Sequence, residues 1–187
     1  MYLPSPTVIG IAFGLSEAAI SLTLRVRGNA QSKDQHSLAV IWIVILAGLG
    51  VAIWLGKTLP DATLPWPQTL YPIGLTLFVV GVALRWWSIE TLGRFFTVQV
   101  AIHSDHQLIQ KGPYRYLRHP SYTGALFAFI GFSLCFGNWP AMIALLAPVL
   151  VVFAWRIRIE EAALAEAFGE QWRDYVSRTW RLLPLVY

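Results

Sequence analysis

Apolar residues fall into five long blocks, at about Leu3–Leu24, Leu38–Leu55, Thr69–Ile89, Pro120–Gly137 and Pro140–Trp155, parted by short polar intervals. A membrane-crossing helix takes about 20 mostly apolar residues, fewer where flanking groups snorkel. The pattern predicts an all-α integral membrane protein with five transmembrane helices. The first block carries Ser16, Glu17 and Ser21 and lacks the basic start and small-residue cleavage signal of a secretory leader, so it is expected to be a retained span. The stretch Pro60–Pro67 cannot continue a helix and forces a break before the third block. Only Asn138 and Trp139 separate the fourth and fifth blocks, which predicts a tight helical hairpin.

Beyond Trp155 the helical spacing continues through Ala162, Ala163, Leu164, Ala167 and Phe168, now interleaved with Glu160, Glu161 and Glu166. The fifth helix should therefore project past the bilayer and end near Gly169, a residue suited to a helix C-terminus. Trp172, Tyr175, Trp180 and Leu182 then mix with Arg173, Arg178 and Arg181, the signature of an interfacial, amphipathic extension.

Composition agrees with a membrane protein: 56% of the residues are hydrophobic and 13% charged, against roughly 45–50% and 25% in soluble domains. No linker divides the chain, so residues 1–187 read as one domain, and no fixed-period repeat suggests duplicated transporter halves. The single Cys135 can form no internal disulfide. The net charge of +4 fits arginines facing anionic lipid and cytosol better than nucleic acid. Basic residues sort to one side: Arg25, Arg27 and Lys33 after the first block; Arg94, Lys111, Arg115 and Arg118 after the third; Arg156, Arg158, Arg173, Arg178 and Arg181 in the tail. The opposite loops hold only Lys57, which predicts an outside N-terminus and a cytoplasmic C-terminus.

Two polar regions, about 92–122 and 156–187, gather the chemistry. The loop from Glu90 to His119 is long, yet Phe95, Phe96, Val98, Val100, Ile102, Leu108 and Ile109 give it enough apolar surface to be ordered. His103 and His106 lack the thiols or carboxylates that would complete a metal site, and none is expected. Arg118-His119-Pro120 reads equally as a phosphate anchor, a helix cap and a helix-starting proline. Arg156 and Arg158 could anchor to lipid, and Glu160 and Glu161 could form a solvated face with pairs such as Arg156–Glu160. Convergence of both regions on one short hairpin favours a site instead. Glu17 is an ionisable group in an apolar span and hence a functional candidate, although Ser16, Ser21 or protonation would satisfy it. Arg85, beside Trp86 and Trp87, reads as a cation snorkelling to the aromatic belt.

The residues Gly112-x-Tyr114-x-x-x-Arg118-His119-Pro120-Ser121-Tyr122, followed by a helical hairpin, Arg156-x-x-x-Glu160-Glu161, Phe168-Gly169 and Tyr175, resemble the isoprenylcysteine carboxyl methyltransferase family and related phospholipid methyltransferases, over roughly Leu92–Pro184. That resemblance implies a membrane methyltransferase using S-adenosylmethionine. It implies that Gln99, His106, Gln107, Leu108, Ile109, Tyr114, His119, Pro120, Ser121, Tyr122 and Glu160 line the cofactor. Arg156 would face the acceptor, with Arg118 and Glu161 as further catalytic residues. Glu160 suits the cofactor's ammonium or ribose hydroxyls, and amides around His119 and Tyr122 suit its carboxylate. Arg156 suits an acceptor carboxylate, which needs no general base. An amine, phenol or thiol acceptor would need one, from His119, His106 or Glu161. The expected partners are membrane lipids and a lipophilic acceptor, such as a prenylated one. The alternatives are methylation of a phospholipid or another lipid, an NADPH-dependent reductase of the sterol type, and a scaffold that only binds headgroups.

Overall fold

The structure, a computed structural model, describes residues 4–25, 37–96 and 107–184. Six helices are found there: α1 (Pro6–Arg25), α2 (Ser37–Thr58), α3 (Pro67–Leu92), α4 (Pro120–Phe136), α5 (Trp139–Phe168) and α6 (Glu170–Arg178). Two short 3₁₀ turns, Gly93–Phe95 and Gly112–Arg115, flank the long loop. Residues 39–58, 67–95 and 139–168 are helices long and apolar enough to cross a membrane, whereas Pro6–Ile20 and Pro120–Phe136 are shorter apolar helices. At about 1.5 Å per residue, α4 falls a few ångströms short of a typical hydrocarbon core.

Local chemistry sets the helix ends. Pro67, Pro120 and Pro140 stand in first turns, where a missing N–H costs nothing. Gly137 closes α4 in the left-handed region (φ 65°), and Asn138 caps α5 by accepting from the Ala141 amide at 3.0 Å. The Asn138 amide also donates to the Leu59 carbonyl at 2.8 Å, which ties the α2–α3 loop to the hairpin turn. These contacts gather one end of the bundle, where Tyr71 of α3 also donates to the Pro4 carbonyl.

α3 and α4 pack backbone to backbone. A methyl on Gly124 would sit 2.6 Å from the Arg85 amide nitrogen, and one on Gly74 would sit 2.7 Å from the Gly131 carbonyl. Only hydrogen fits in either gap, so the glycines draw Arg85 up against the start of α4. α2 lies on α5, where Gly48 meets the backbone at Ala144 and the ring of Pro148. α1 rests on the bundle through Gly10 against Phe132, and through Phe13 edge-on to Phe78 and Phe129.

At the other end, α5 runs unbroken past its apolar part to Gly169 (φ 51°), where the chain turns into α6. Trp172 and Tyr175 are buried, because α6 folds back with that face inward. The residues after it then run beside Tyr116–His119, with Trp180 N–H donating to Tyr116, and Arg118 and His119 N–H donating to Trp180 and Arg181.

Candidate active site

One continuous cavity of about 260 Å³ reaches from the α4 start and α6 into the space between α1, α2, α4 and α5. Its polar end is lined by Gln107, Tyr114, Arg118, His119, Ser121, Tyr122, Arg156 and Glu160; Leu108 and Ile109 are there too. Its far end is apolar, with Phe13, Ile45, Leu49, Phe129 and Leu145. A file of edge-on rings joins the two ends: His119–Tyr122 at 5.8 Å, Tyr122–Phe153 at 5.3 Å, Phe153–Phe129 at 6.2 Å and Phe129–Phe13 at 5.0 Å.

Position on the helices explains the polar end. Pro120 fixes the start of α4 and is itself buried, so His119 and Ser121–Tyr122 present their side chains from adjacent points of one turn. Arg156 and Glu160 are four apart on α5 and share a face. The Tyr122 hydroxyl interacts with both. Arg156 is 3% exposed, so it is no headgroup anchor.

Glu161 faces the other way and is a structural hub. Arg118 Nε lies 3.1 Å and His119 Nε2 3.2 Å from its Oε1, while Arg181 Nη2 lies 2.7 Å from Oε2. Burial by itself would raise this carboxyl; the hydrogen bonds from His119 and Arg181 and the charges of His119 and Arg118 outweigh it and hold the group at about 2. A carboxylate committed to three partners is a poor proton acceptor. Arg118 also donates to the Val176 carbonyl at 3.3 Å, so it too is tied into the protein by polar contacts. Tyr175 braces the same region, donating to the carbonyls of Tyr114 at 2.7 Å and Leu117 at 3.2 Å.

Of the amides around His119 and Tyr122, that of His119 donates to the Arg181 carbonyl at 3.1 Å, in the strap that follows α6. Gln99 and His106, together with His103, lie outside the described residues. No cluster of three or more potential metal ligands occurs among the described residues.

Arg85 is the main departure from the sequence reading. It does not snorkel. Its Nε and Nη2 take both oxygens of Glu17 at 2.5 and 2.7 Å, and Nη1 donates to Ser121 Oγ at 3.0 Å. Next along, Trp86 Nε1 donates to Ser16 Oγ at 2.9 Å. Glu17, Arg85, Trp172 and Tyr175 all line the cavity and were not assigned to it from sequence. Glu17 carried a usable signal, a carboxylate within an apolar block; Arg85 was its countercharge on another block.

Fold and site together define an all-helical membrane protein with a buried, charged chamber opening into an apolar cavity. Residues 69–171 match the phospholipid methyltransferase family, and the chain belongs to it. It is similar to protein-S-isoprenylcysteine O-methyltransferase B of Arabidopsis thaliana, 37% identical over 115 residues, covering 60% of this chain and 58% of the relative. The Schizosaccharomyces pombe protein-S-isoprenylcysteine O-methyltransferase is 26% identical over 181 residues, covering 88% and 77%. The chain spans about three fifths of the length of the plant relatives it matches. Among solved structures, a eukaryotic intramembrane Ras methyltransferase (isoprenylcysteine carboxyl methyltransferase) shares the fold, with a TM-score of 0.61, 24% identity, and coverage of 100% of this chain and 70% of that one.

Proposed function

We propose that the chain is an S-adenosylmethionine-dependent methyltransferase that esterifies the carboxylate of an isoprenylcysteine-like acceptor at the cytoplasmic face of a membrane. The observation that carries this reading is the single cavity, polar and cation-bearing at one end and apolar at the other. Such a cavity suits a water-borne cofactor and a lipid-borne acceptor meeting head to head. In the same reading all five apolar helices cross the bilayer, with the N-terminus outside and the polar regions cytoplasmic.

The residues present fit the cofactor. Glu160 offers a carboxylate for an ammonium or for ribose hydroxyls, and Tyr114, Trp172 and Tyr175 offer aromatic faces beside it. Gln107, Leu108 and Ile109 close the chamber from the loop. S-adenosylmethionine, when bound, supplies a sulfonium methyl whose transfer forms an O–CH3 bond, breaks the CH3–S bond, returns the electron pair to sulfur and leaves no proton to remove.

The protein's part is positioning and dryness. Arg156 offers paired N–H donors to an acceptor carboxylate and so aims one oxygen. Tyr122, which interacts with both Arg156 and Glu160, links the side chain that would hold the acceptor to the one that would hold the cofactor. The rings from Tyr122 to Phe13 line the acceptor's path and exclude water, which would otherwise screen these charges. Glu161 acts from behind, fixing His119 and Arg118 in the wall.

Transfer of labelled methyl from S-adenosylmethionine tests the reading. N-acetyl-S-farnesylcysteine should be converted to a base-labile methyl ester. Label appearing only in phosphatidylethanolamine vesicles would overturn the carboxylate assignment.

A further inference from the structure

Tyr175 lines the chamber that holds Tyr114 and Glu160, and it also lines a second pocket beside α6. That pocket is walled by Gln110, Lys111, Gly112 and Arg115 from the loop and its 3₁₀ turn, and by Arg178 from α6. Three exposed cations thus converge from two elements. Among the described residues none of the three meets a carboxylate. Arg178 reaches only neutral acceptors, with Nε donating to the Asp174 carbonyl at 3.2 Å and Nη2 to Gln110 Oε1 at 3.5 Å. Asp174, about one turn before it on α6, offers its backbone rather than its side chain. Arg115 lies over the ring of Tyr116, 5.8 Å from its centroid. Like charges gathered without an acid between them repel, so the arrangement is most favourable with an anion among them.

The surroundings indicate what carries that anion. A methyl on Gly112 would sit 3.2 Å from Thr91 Cγ2 and 3.7 Å from Trp87 Nε1, so the turn abuts the last turns of a helix long and apolar enough to cross a membrane. Trp87 is exposed there, and so are Tyr116, next to Arg115, and Trp180, two residues after Arg178. Exposed tryptophan and tyrosine at the end of a spanning helix mark headgroup depth, where arginine and lysine meet lipid phosphates.

We propose that this pocket binds the phosphate of an anionic phospholipid headgroup, which bridges the Gly112–Arg115 turn to α6. Arg115 and Arg178 offer forked donors that match phosphate oxygens, and Lys111 adds a third charge. The Gln110 NH2 is left to donate, because its oxygen faces Arg178. The bridge reaches the chamber, since Tyr114 belongs to the turn and Trp172 and Tyr175 to α6, with the Tyr175 hydroxyl on the Tyr114 carbonyl at 2.7 Å. A lipid that draws turn and helix together steadies that wall, and a ligand bound in the chamber tightens the hold on lipid by the same factor. The pocket stands apart from the proposed methyl transfer; only its effect on S-adenosylmethionine rests on that reading.

Native mass spectrometry of the full chain in neutral detergent, titrated with phosphatidylglycerol or phosphatidylcholine, tests the site. One phosphatidylglycerol should be retained about tenfold more tightly than phosphatidylcholine. Arg115→Gln combined with Arg178→Gln should weaken its retention roughly thirtyfold. Arg158→Gln with Arg173→Gln removes the same charge from exposed positions outside the pocket and should change retention by less than about threefold. Equal losses in the two pairs would mean diffuse attraction and overturn the site. If the pocket pair does not fold, Lys111→Gln alone should weaken retention about fivefold, and unchanged retention would overturn the site. Inorganic phosphate that displaces phosphatidylglycerol at equal concentration would overturn the lipid as occupant. By calorimetry, phosphatidylglycerol should raise affinity for S-adenosylhomocysteine severalfold in the wild type and not in the pocket pair. Binding of S-adenosylhomocysteine without that rise would overturn the bridge. Failure to bind it at all would overturn the proposed cofactor, while retention of phosphatidylglycerol still decides the pocket.

Discussion

Arg181 clasps Glu161 from the end of the chain, with Nη2 2.7 Å from one oxygen and Nε 3.0 Å from both. Only a few residues after α6, it fastens the strap whose carbonyls take the amides of Arg118 and His119. The strap in turn holds the α4 start, since Thr123 Oγ1 donates to Leu182 at 2.7 Å. Arg181→Ala should therefore cost roughly 1–2 kcal/mol, less than a fully buried pair because Arg181 is partly exposed and Glu161 keeps two partners. Calorimetric affinity for S-adenosylhomocysteine should weaken while KM for the acceptor holds. A change confined to acceptor KM would place the strap away from the cofactor.

Acid should undo the same contact. The Glu161 carboxyl is held at about 2 in the folded protein against an ordinary 4.5. A depressed carboxyl contributes stability above its unfolded value and loses it as pH falls through the folded one. The contribution, about 3 kcal/mol for a shift of this size, should be complete above about pH 4.5 and gone near pH 2. Thermal unfolding followed between those limits should show a slope in the wild type that Glu161→Gln flattens.

Tyr175 offers a subtler cut. Burial raises its phenol, so the group stays a neutral donor at physiological pH, shared by the carbonyls of Tyr114 and Leu117. Tyr175→Phe keeps the ring beside Trp172 but strands those carbonyls, at a cost of about 1–2 kcal/mol. Cofactor KM should rise severalfold, with acceptor KM unchanged. An equal rise in both would mean that the whole chamber had shifted.

The α3–α4 contact predicts a contrast between glycines. Gly124→Ala pushes a methyl to 2.6 Å from the Arg85 amide nitrogen and must part the two helices, whereas Gly14→Ala meets nothing within 4 Å. The first should cost upwards of about 2 kcal/mol and displace Arg85. The second should be near neutral or slightly stabilising, because alanine is the better helix former. Thermal unfolding of the two variants side by side measures the difference.

What could be read from sequence was what is local. Each apolar block became a helix near its expected limits, since length and apolarity belong to the block; Pro67, Pro120, Gly137 and Gly169 mark ends by their own backbone restrictions. Gathering His119, Ser121, Tyr122, Arg156 and Glu160 required only the hairpin between α4 and α5 and their helical spacing. Tertiary pairing was not legible. Glu17 and Arg85 lie 68 residues apart, and neither carries a mark of the other. The fate of the His119 amide depended on a strap from beyond α6, and the inward turn of Trp172 and Tyr175 on where α6 landed. An amphipathic segment with aromatic residues satisfies a membrane surface or a protein cavity equally well, and only packing decides between them.

Arg156 separates binding from chemistry. It is 3% exposed, projects from the last apolar turns of α5 into the cavity and shares Tyr122 with Glu160, on the side toward which the aromatic file leads. Its proposed work is to hold an acceptor carboxylate by two parallel donors, which lysine, a point charge, cannot reproduce. Arg156→Lys preserves the charge and should lower kcat by 10²-fold or so through lost aim, with acceptor KM changed little. Arg156→Ala should abolish turnover and still bind S-adenosylhomocysteine, because Glu160 and the ring walls remain. If instead the lysine variant turns over normally, charge alone suffices and the forked geometry is irrelevant. If the alanine variant loses the cofactor, Arg156 belongs to the cofactor wall and the acceptor must be oriented elsewhere.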